Sequence, residues 1–197
     1  MFNLDAHKKH FERHIATFKK YGDIKVLDYK EPEREHYHIR FTFLEDMYTL
    51  HISGDLGYLT AVNVCNMTYA GFREDFMNNP GYFEQKVMSH SRPLYTYDVV
   101  KAKDDLKDQL AEWVPETTFD FEDPEELKEE TIDEILEDYS DYYGLGNVGY
   151  NKLCEIDRDC FEWAGDLGKQ HTIFIELYCM AFRLAVKDLE RQGIYEV

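Results

Sequence analysis

Residues 37–64 alternate apolar and polar side chains with a period of two, and no other pattern in the 197-residue chain restricts the fold as much. Tyr37, Ile39, Phe41 and Phe43 are separated by His38, Arg40 and Thr42, the signature of a half-buried strand. The alternation resumes from Met47 to Ser53 through Tyr48, Leu50 and Ile52, so the short Glu45-Asp46 connection predicts an antiparallel hairpin. Beyond Gly54-Asp55-Leu56-Gly57 the string YLTAVNV predicts a further strand, and Ile24, Val26 and Leu27 a short first one. Ahead of them, Leu4, Phe11, Ile15 and Phe18 share one face at helical spacing. Asp5 and Gly22 then read as the start and stop of a helix running to about Lys20.

After Thr68 the pattern turns helical. TYAGFREDFMNN, YFEQKVMS and Val99–Glu112 read as helices, with Pro115 as a boundary. Asp123-Pro124-Glu125-Glu126 has the cap, N1 proline and first-turn acid of a helix start. Leu127, Ile132, Ile135, Leu136 and Tyr139 give that helix an apolar side, and two more helices are expected over about 150–163 and 170–192. The expected fold is α+β: an N-terminal helix on a three- to four-stranded antiparallel sheet, then a mostly helical C-terminal half containing an acidic helix. The expected division is an α+β domain over 1–115 and an acidic and helical lobe over 116–197, with one continuous domain as the alternative.

Charge is distributed unevenly. Residues 1–115 carry 15 Lys/Arg against 18 Asp/Glu, and residues 142–197 carry 6 against 9. Residues 116–141 carry only Lys128 against 13 acids, a net of −12 out of the chain's −18. Such a block repels nucleic acid and favours a cationic partner. The N-terminus, MFNLDAHKKHFERH, has no apolar signal region and no run approaches a membrane span, so the expected location is the cytoplasm. Cys65, Cys154, Cys160 and Cys179 form no C-x-x-C pair and read as reduced thiols.

Four features invite a chemical reading. GLGNVG at 144–149 has dinucleotide-loop spacing, but an acidic helical pattern rather than a strand precedes it. Gly144, Gly146 and Gly149 therefore read as a helix cap and a flexible connection between helices. His36 and His38, beside Glu35, and His7, His10 and His14 could supply imidazole ligands, but no H-E-x-x-H or paired cysteine fixes a metal geometry. Cys65 has no identifiable base. The HISGDLG string puts Ser53 and Asp55 at a tight turn suited to a partner contact, and Tyr139, Tyr142, Tyr143 and Tyr150 place interface-type aromatics in and beside the acidic block. No catalytic residue, metal or cofactor is expected.

The series HYHIRF, MYTLHISGDLGYLTAVNV, GYFEQKV and SHSRPLYTYD resembles small proteins carried by phages and mobile elements of Firmicutes. The matching positions are Ile52–Gly57, Tyr82-Phe83 with Lys86, and Tyr95, Tyr97 and Asp98, within about residues 36–100. Some such proteins are type II anti-CRISPR proteins, so the resemblance implies a non-enzymatic inhibitor of a Cas9-type effector, with or without guide RNA. Cas9 binds its guide–target duplex in a positively charged channel. The acidic block lies outside the matched region, and its role follows from charge alone. Asp120, Glu122, Asp123, Glu125, Glu126, Glu129, Glu130, Asp133, Glu134, Glu137, Asp138 and Asp141 would mimic phosphates, with Tyr139, Tyr142 and Tyr143 as aromatic anchors and Ser53 and Asp55 as a second contact. A small metal-dependent or nucleotide-modifying enzyme and an adaptor for another host protein are the alternatives, and a homodimer stays open.

Overall fold

The computed structural model describes residues 4–33, 36–111 and 124–194. In chain order the elements are α1 (Leu4–Lys8), β1 (Ile15–Tyr21), β2 (Ile24–Lys30), β3 (Ile39–Leu44), β4 (Thr49–Gly54), β5 (Leu59–Val62), α2 (Tyr69–Gly71), α3 (Pro80–Glu84), β6 (Val87–His90), β7 (Tyr95–Tyr97), α4 (Val99–Gln109), α5 (Pro124–Ile135), α6 (Asn147–Ile156), β8 (Lys169–His171) and α7 (Phe174–Arg191). They form two compact units: Met1–Leu94 with Ile173–Val197, and Tyr95–Thr172.

In the first unit β1 to β6 make one antiparallel sheet in sequence order, six strands where three or four are expected. The 39–54 hairpin is present, with Phe41 opposite Ile52 and Phe43 opposite Leu50. The long first helix is not. It stops at Lys8, a 3-10 turn covers Lys9–Phe11, and Ile15–Tyr21 is a strand paired to β2. Ile15, Thr17, Phe18 and Tyr21 are strand-prone, and Ala16 and Phe18 also satisfy a period of two. Gly22-Asp23 is therefore the turn of a β-hairpin, with Tyr21 opposite Ile24, rather than a helix stop. YFEQKVMS also divides: α3 ends at Glu84 and Val87–His90 adds the sixth strand.

One sheet face is the core. Ala16, Leu27, Ile39, Phe41, Phe43, Leu50, Ile52, Leu59 and Ala61 are buried on it, as period-two alternation requires. α7 buries ten of its eighteen residues in this unit. Phe182, fully buried, has its ring 4.7 Å from Phe72, 5.3 Å from Phe41, 5.5 Å from Tyr69 and 6.1 Å from Phe43. α7 also finishes the sheet edge. Asp188 Oδ2 accepts the Ala16 N–H at 2.8 Å, and Gln192 Nε2 donates to the Ala16 carbonyl at 3.0 Å. Both backbone polar groups of Ala16, on edge strand β1, are thereby satisfied.

In the second unit β7 and β8 pair antiparallel, Tyr95 opposite His171 and Tyr97 opposite Lys169. Its core joins Ala102, Leu106 and Leu110 of and after α4 to Ile132 and Ile135 of α5, Leu153 of α6, and Cys160, Ala164 and Leu167. The boundary thus lies at residues 94/95 and 172/173, not at 115/116. α4 shares a core with the acidic helix, and α7 shares one with the N-terminal sheet.

Replacing Phe182 by Ala removes the ring common to four aromatic contacts and should cost about 3–5 kcal/mol, whereas Leu should cost distinctly less. Urea unfolding of the two variants measures the difference.

Candidate functional site

The division into units sharpens the charge pattern. Residues 95–172 carry 23 acids against 7 Lys/Arg, a net of −16, while the rest of the chain carries 17 against 15, a net of −2. Almost the entire negative charge therefore belongs to the second unit.

Within that unit the acids have different fates. Lys103 Nζ lies 2.6 Å from Asp133 and 3.1 Å from Glu129, and Lys107 pairs with Glu129 as well. Lys152 Nζ lies 2.6 Å from Glu134. The two lysines of α4 and the two acids of α5 each stand four residues apart, so a turn of one helix matches a turn of the other. Hydrogen bonds from Lys107 and Lys103 hold the Glu129 carboxyl below its ordinary range, and Asp133 with Glu129 raises Lys103. Glu130, Glu137 and Asp141 are exposed and form no ion pair among the described residues. Asp120, Glu122 and Asp123 lie outside the described residues, as do the side chains of Glu125 and Glu126.

Asp138 is turned inward as a helix cap. Its Oδ2 accepts the Val148 N–H at 2.9 Å and its Oδ1 the Gly149 N–H at 3.0 Å, at the first turn of α6. These bonds, Val148 first, depress its pKa. The glycines make the arrangement possible. A Cβ on Gly146 would stand 2.1 Å from Asp138 Oδ2, and one on Gly149 would stand 1.9 Å from the Ile135 carbonyl oxygen. GLGNVG therefore does bring an anion to a helix N-terminus, but the anion is the protein's own carboxylate. The connection is a bonded turn rather than a flexible link: Ser140 and Gly144 exchange both backbone bonds, at 2.9 and 2.8 Å.

That turn carries the most exposed aromatics among the described residues of the second unit. Tyr142 and Tyr143 are 81% and 86% exposed, with rings 6.5 Å apart. Ser140 Oγ accepts the Tyr142 N–H at 3.2 Å, and the Asp141 carbonyl accepts the Tyr97 N–H at 3.1 Å, so the tip is fixed to β7. Tyr139 is different. Its hydroxyl donates to the Leu167 carbonyl at 2.8 Å and its ring packs on the core, where burial pushes its pKa up to about 12. Its contacts are thus within the unit's own core.

The other candidates serve the first unit. Asp55 Oδ2 accepts the His38 N–H at 3.0 Å and its own N–H donates to the His38 carbonyl at 2.9 Å, tying the end of β4 to the start of β3. The next residue, Leu56, accepts the buried Tyr178 hydroxyl at 3.0 Å. Ser53 is exposed on β4. His38 Nε2 lies 3.1 Å from Asp28, which Arg40 also grips at 2.7 Å. Burial raises the Asp28 pKa, but Arg40 and His38 outweigh it and leave the carboxyl depressed. His10 stacks on Tyr37 at 4.4 Å, and His36 lies beside both rings. No group of three His, Cys, Asp or Glu side chains suited to a metal occurs among the described residues, and Cys65 is exposed. Nor is any helix among them long and apolar enough to cross a membrane. Comparison of the chain with protein-family models, curated proteins and solved structures finds no match.

Asp138→Asn should lower the melting temperature at neutral pH. A depressed carboxylate stabilises the fold above its unfolded pKa of about 3.9 and loses that contribution as pH falls through its lower folded value. The variant should therefore show a shallower loss of stability between neutral pH and pH ~3. Parallel melting curves across that range check it, and superimposable pH profiles would rule out the capping role. Gly149→Ala should destabilise by about 1–3 kcal/mol through overpacking against Ile135, read from denaturant midpoints.

Proposed function

We propose that the second unit is a non-enzymatic docking module for a basic, nucleic-acid-binding protein, and that its partner is a Cas9-type effector. The observation that carries the reading is a net −16 within residues 95–172, the unit that also presents a fixed, exposed Tyr142–Tyr143 turn. The resemblance of residues 36–100 to phage-borne proteins supplies the partner class.

The chemistry favours association over catalysis. A net negative surface steers a cationic surface toward it and falls off with salt. Tyrosines held on a bonded turn add contact area at little entropic cost. Glu137 precedes the turn and Asp141 lies in it, both without an ion pair among the described residues, and Glu130 stands seven residues before Glu137 on α5. By contrast, Glu129, Asp133 and Glu134 already have lysine partners, so their exchange for an arginine or lysine of the effector would first break those pairs. Among the described residues the phosphate-mimicking set is accordingly Glu130, Glu137 and Asp141, and its aromatic anchor is the tyrosine pair.

The test is binding to, and inhibition of DNA cleavage by, a Cas9 with and without guide RNA. The triple variant Glu130→Gln, Glu137→Gln, Asp141→Asn should keep its melting temperature, since exposed substitutions typically change stability by about 0.5 kcal/mol or less. It should bind more slowly and with a weaker salt dependence. Tyr142→Ala with Tyr143→Ala should accelerate dissociation, costing about 2 kcal/mol or more of affinity if the pair is the anchor. Full inhibition by both folded variants would sink the docking surface, and absence of binding by the unaltered chain would sink the partner class.

A further inference from the structure

Two thiols that the docking surface does not use lie in contact within the second unit. Cys154, in the last turn of α6, and Cys160, in the 3-10 turn that follows, have their Sγ atoms 2.9 Å apart. Both are free cysteines, Cys154 half-buried and Cys160 fully buried.

The backbone holds this contact in place. α6 closes with the Asp157 N–H on the Leu153 carbonyl at 2.8 Å, and the chain then reverses, the Cys160 N–H donating to the Asp157 carbonyl at 3.2 Å. The Asp157 carboxylate braces the reversal: Oδ1 accepts the Asp159 N–H at 2.8 Å, and Oδ2 accepts the Trp163 indole N–H at 3.1 Å. Trp163 and Cys154 both pack against the core cluster that contains Cys160. Two sulfurs fixed in this way have a high effective concentration toward each other, because folding has already removed most of the freedom that would separate them. A disulfide bond is about 2.05 Å long, so closing it from 2.9 Å requires an approach of about 0.9 Å.

The two sulfurs are not equivalent. Burial, and then the hydrogen bond with Cys154, push the Cys160 thiol above its ordinary range, so Cys160 keeps its proton and donates it. The Tyr150 hydroxyl donates to Cys154 as well, which raises the pKa of that tyrosine. Both hydrogen bonds therefore end on Cys154, the more exposed of the two cysteines. A reagent meets Cys154 first, and the buried sulfur of Cys160 is reached only by Cys154, from within the fold. Asp157 and Asp159 lie close enough to disfavour a Cys160 thiolate, in a unit whose net charge is −16. Such surroundings favour a neutral reagent over an anionic one.

We propose that Cys154 and Cys160 form a reversible disulfide, with a small neutral disulfide as the oxidant. The Cys154 thiolate attacks one sulfur of the reagent RSSR, which makes a mixed disulfide and releases RS⁻. Cys160 then attacks the Cys154 sulfur and releases the second RS⁻. The two protons given up by the cysteines go to the two leaving thiolates, so two RSH and one protein disulfide replace one RSSR and two protein thiols. The bond closes a ring over residues 154–160 and restrains the unfolded chain of the second unit. The site rests on the thiol geometry alone and is independent of the docking proposal.

The test uses the full chain carrying Cys65→Ser, which removes the exposed thiol. Incubation with 2-hydroxyethyl disulfide is followed by intact mass, free-thiol titration and tryptic mapping. Arg158 separates the two cysteines, so the expected bond joins tryptic peptides 153–158 and 159–169. The protein should lose two thiols, regain both with dithiothreitol, and show a higher urea midpoint when oxidised. The mixed disulfide should stay below about one tenth of the cross-linked form, because the second step is intramolecular. Adding Cys160→Ala should instead leave a stable mercaptoethanol adduct on Cys154, and adding Cys154→Ala should leave Cys160 unreacted. Should either variant not fold, the tryptic map of the Cys65→Ser chain still decides. A persistent adduct on Cys154 without the cross-link would overturn the proposal. Reaction of the pair only in the presence of urea would overturn it equally.

Discussion

The return of α7 to the N-terminal sheet is the contact on which the first unit depends. Six antiparallel strands have an apolar face that alternation alone cannot cover, and Phe182 is driven into it among Phe41, Phe43, Tyr69 and Phe72. The same helix completes the exposed edge, where Asp188 and Gln192 satisfy both backbone groups of Ala16. Hydrophobic burial and edge protection thus come from one element, supplied by chain that follows the sheet by more than eighty residues.

Electrostatics in the second unit divides along a simple line. Acids whose spacing matches that of the α4 lysines are neutralised internally, and Asp138 is spent on the α6 N-terminus. Among the described residues, Glu130, Glu137 and Asp141 remain exposed without an ion pair. A block of thirteen acids is therefore both a structural device and a surface, and only the geometry separates the two roles.

How far the sequence was legible follows from which interactions are local. The 39–54 hairpin could be read because alternation and its short connection agree. Residues 15–21 could not, because Phe11, Ile15 and Phe18 fit a helical period while Ala16 and Phe18 fit a strand period, and only pairing with β2 decides between them. Strand β6 was hidden for the same reason, being a short edge strand after a genuine helix. The unit boundary was invisible because proline and charge mark composition, whereas the true limits are set by which helices share a core. For the candidate site, the acidic pattern ahead of the glycines reads as a reason to expect a flexible connection rather than an anion-binding turn, whereas one of those acids, Asp138, is itself the anion at the α6 N-terminus. The internal lysine partners had a signal, the matched four-residue spacings of Lys103–Lys107 and Glu129–Asp133, which acquires meaning only once α4 is known to face α5. The Cys154–Cys160 contact had none, since only the turn after α6 brings the two thiols together.

The pairing of β7 with β8 sets the entry and exit of the second unit side by side, Tyr95 against His171. This gives the first unit a thermodynamic dependence that requires no contact with the second. When the second unit is folded, α7 reaches the sheet across a short effective linker. When it is unfolded, the same docking must close a loop of some 78 residues. The difference in closure entropy is on the order of 2–3 kcal/mol by the logarithmic dependence on loop length. An event that orders or loosens the acidic unit is therefore transmitted to the sheet through chain statistics alone.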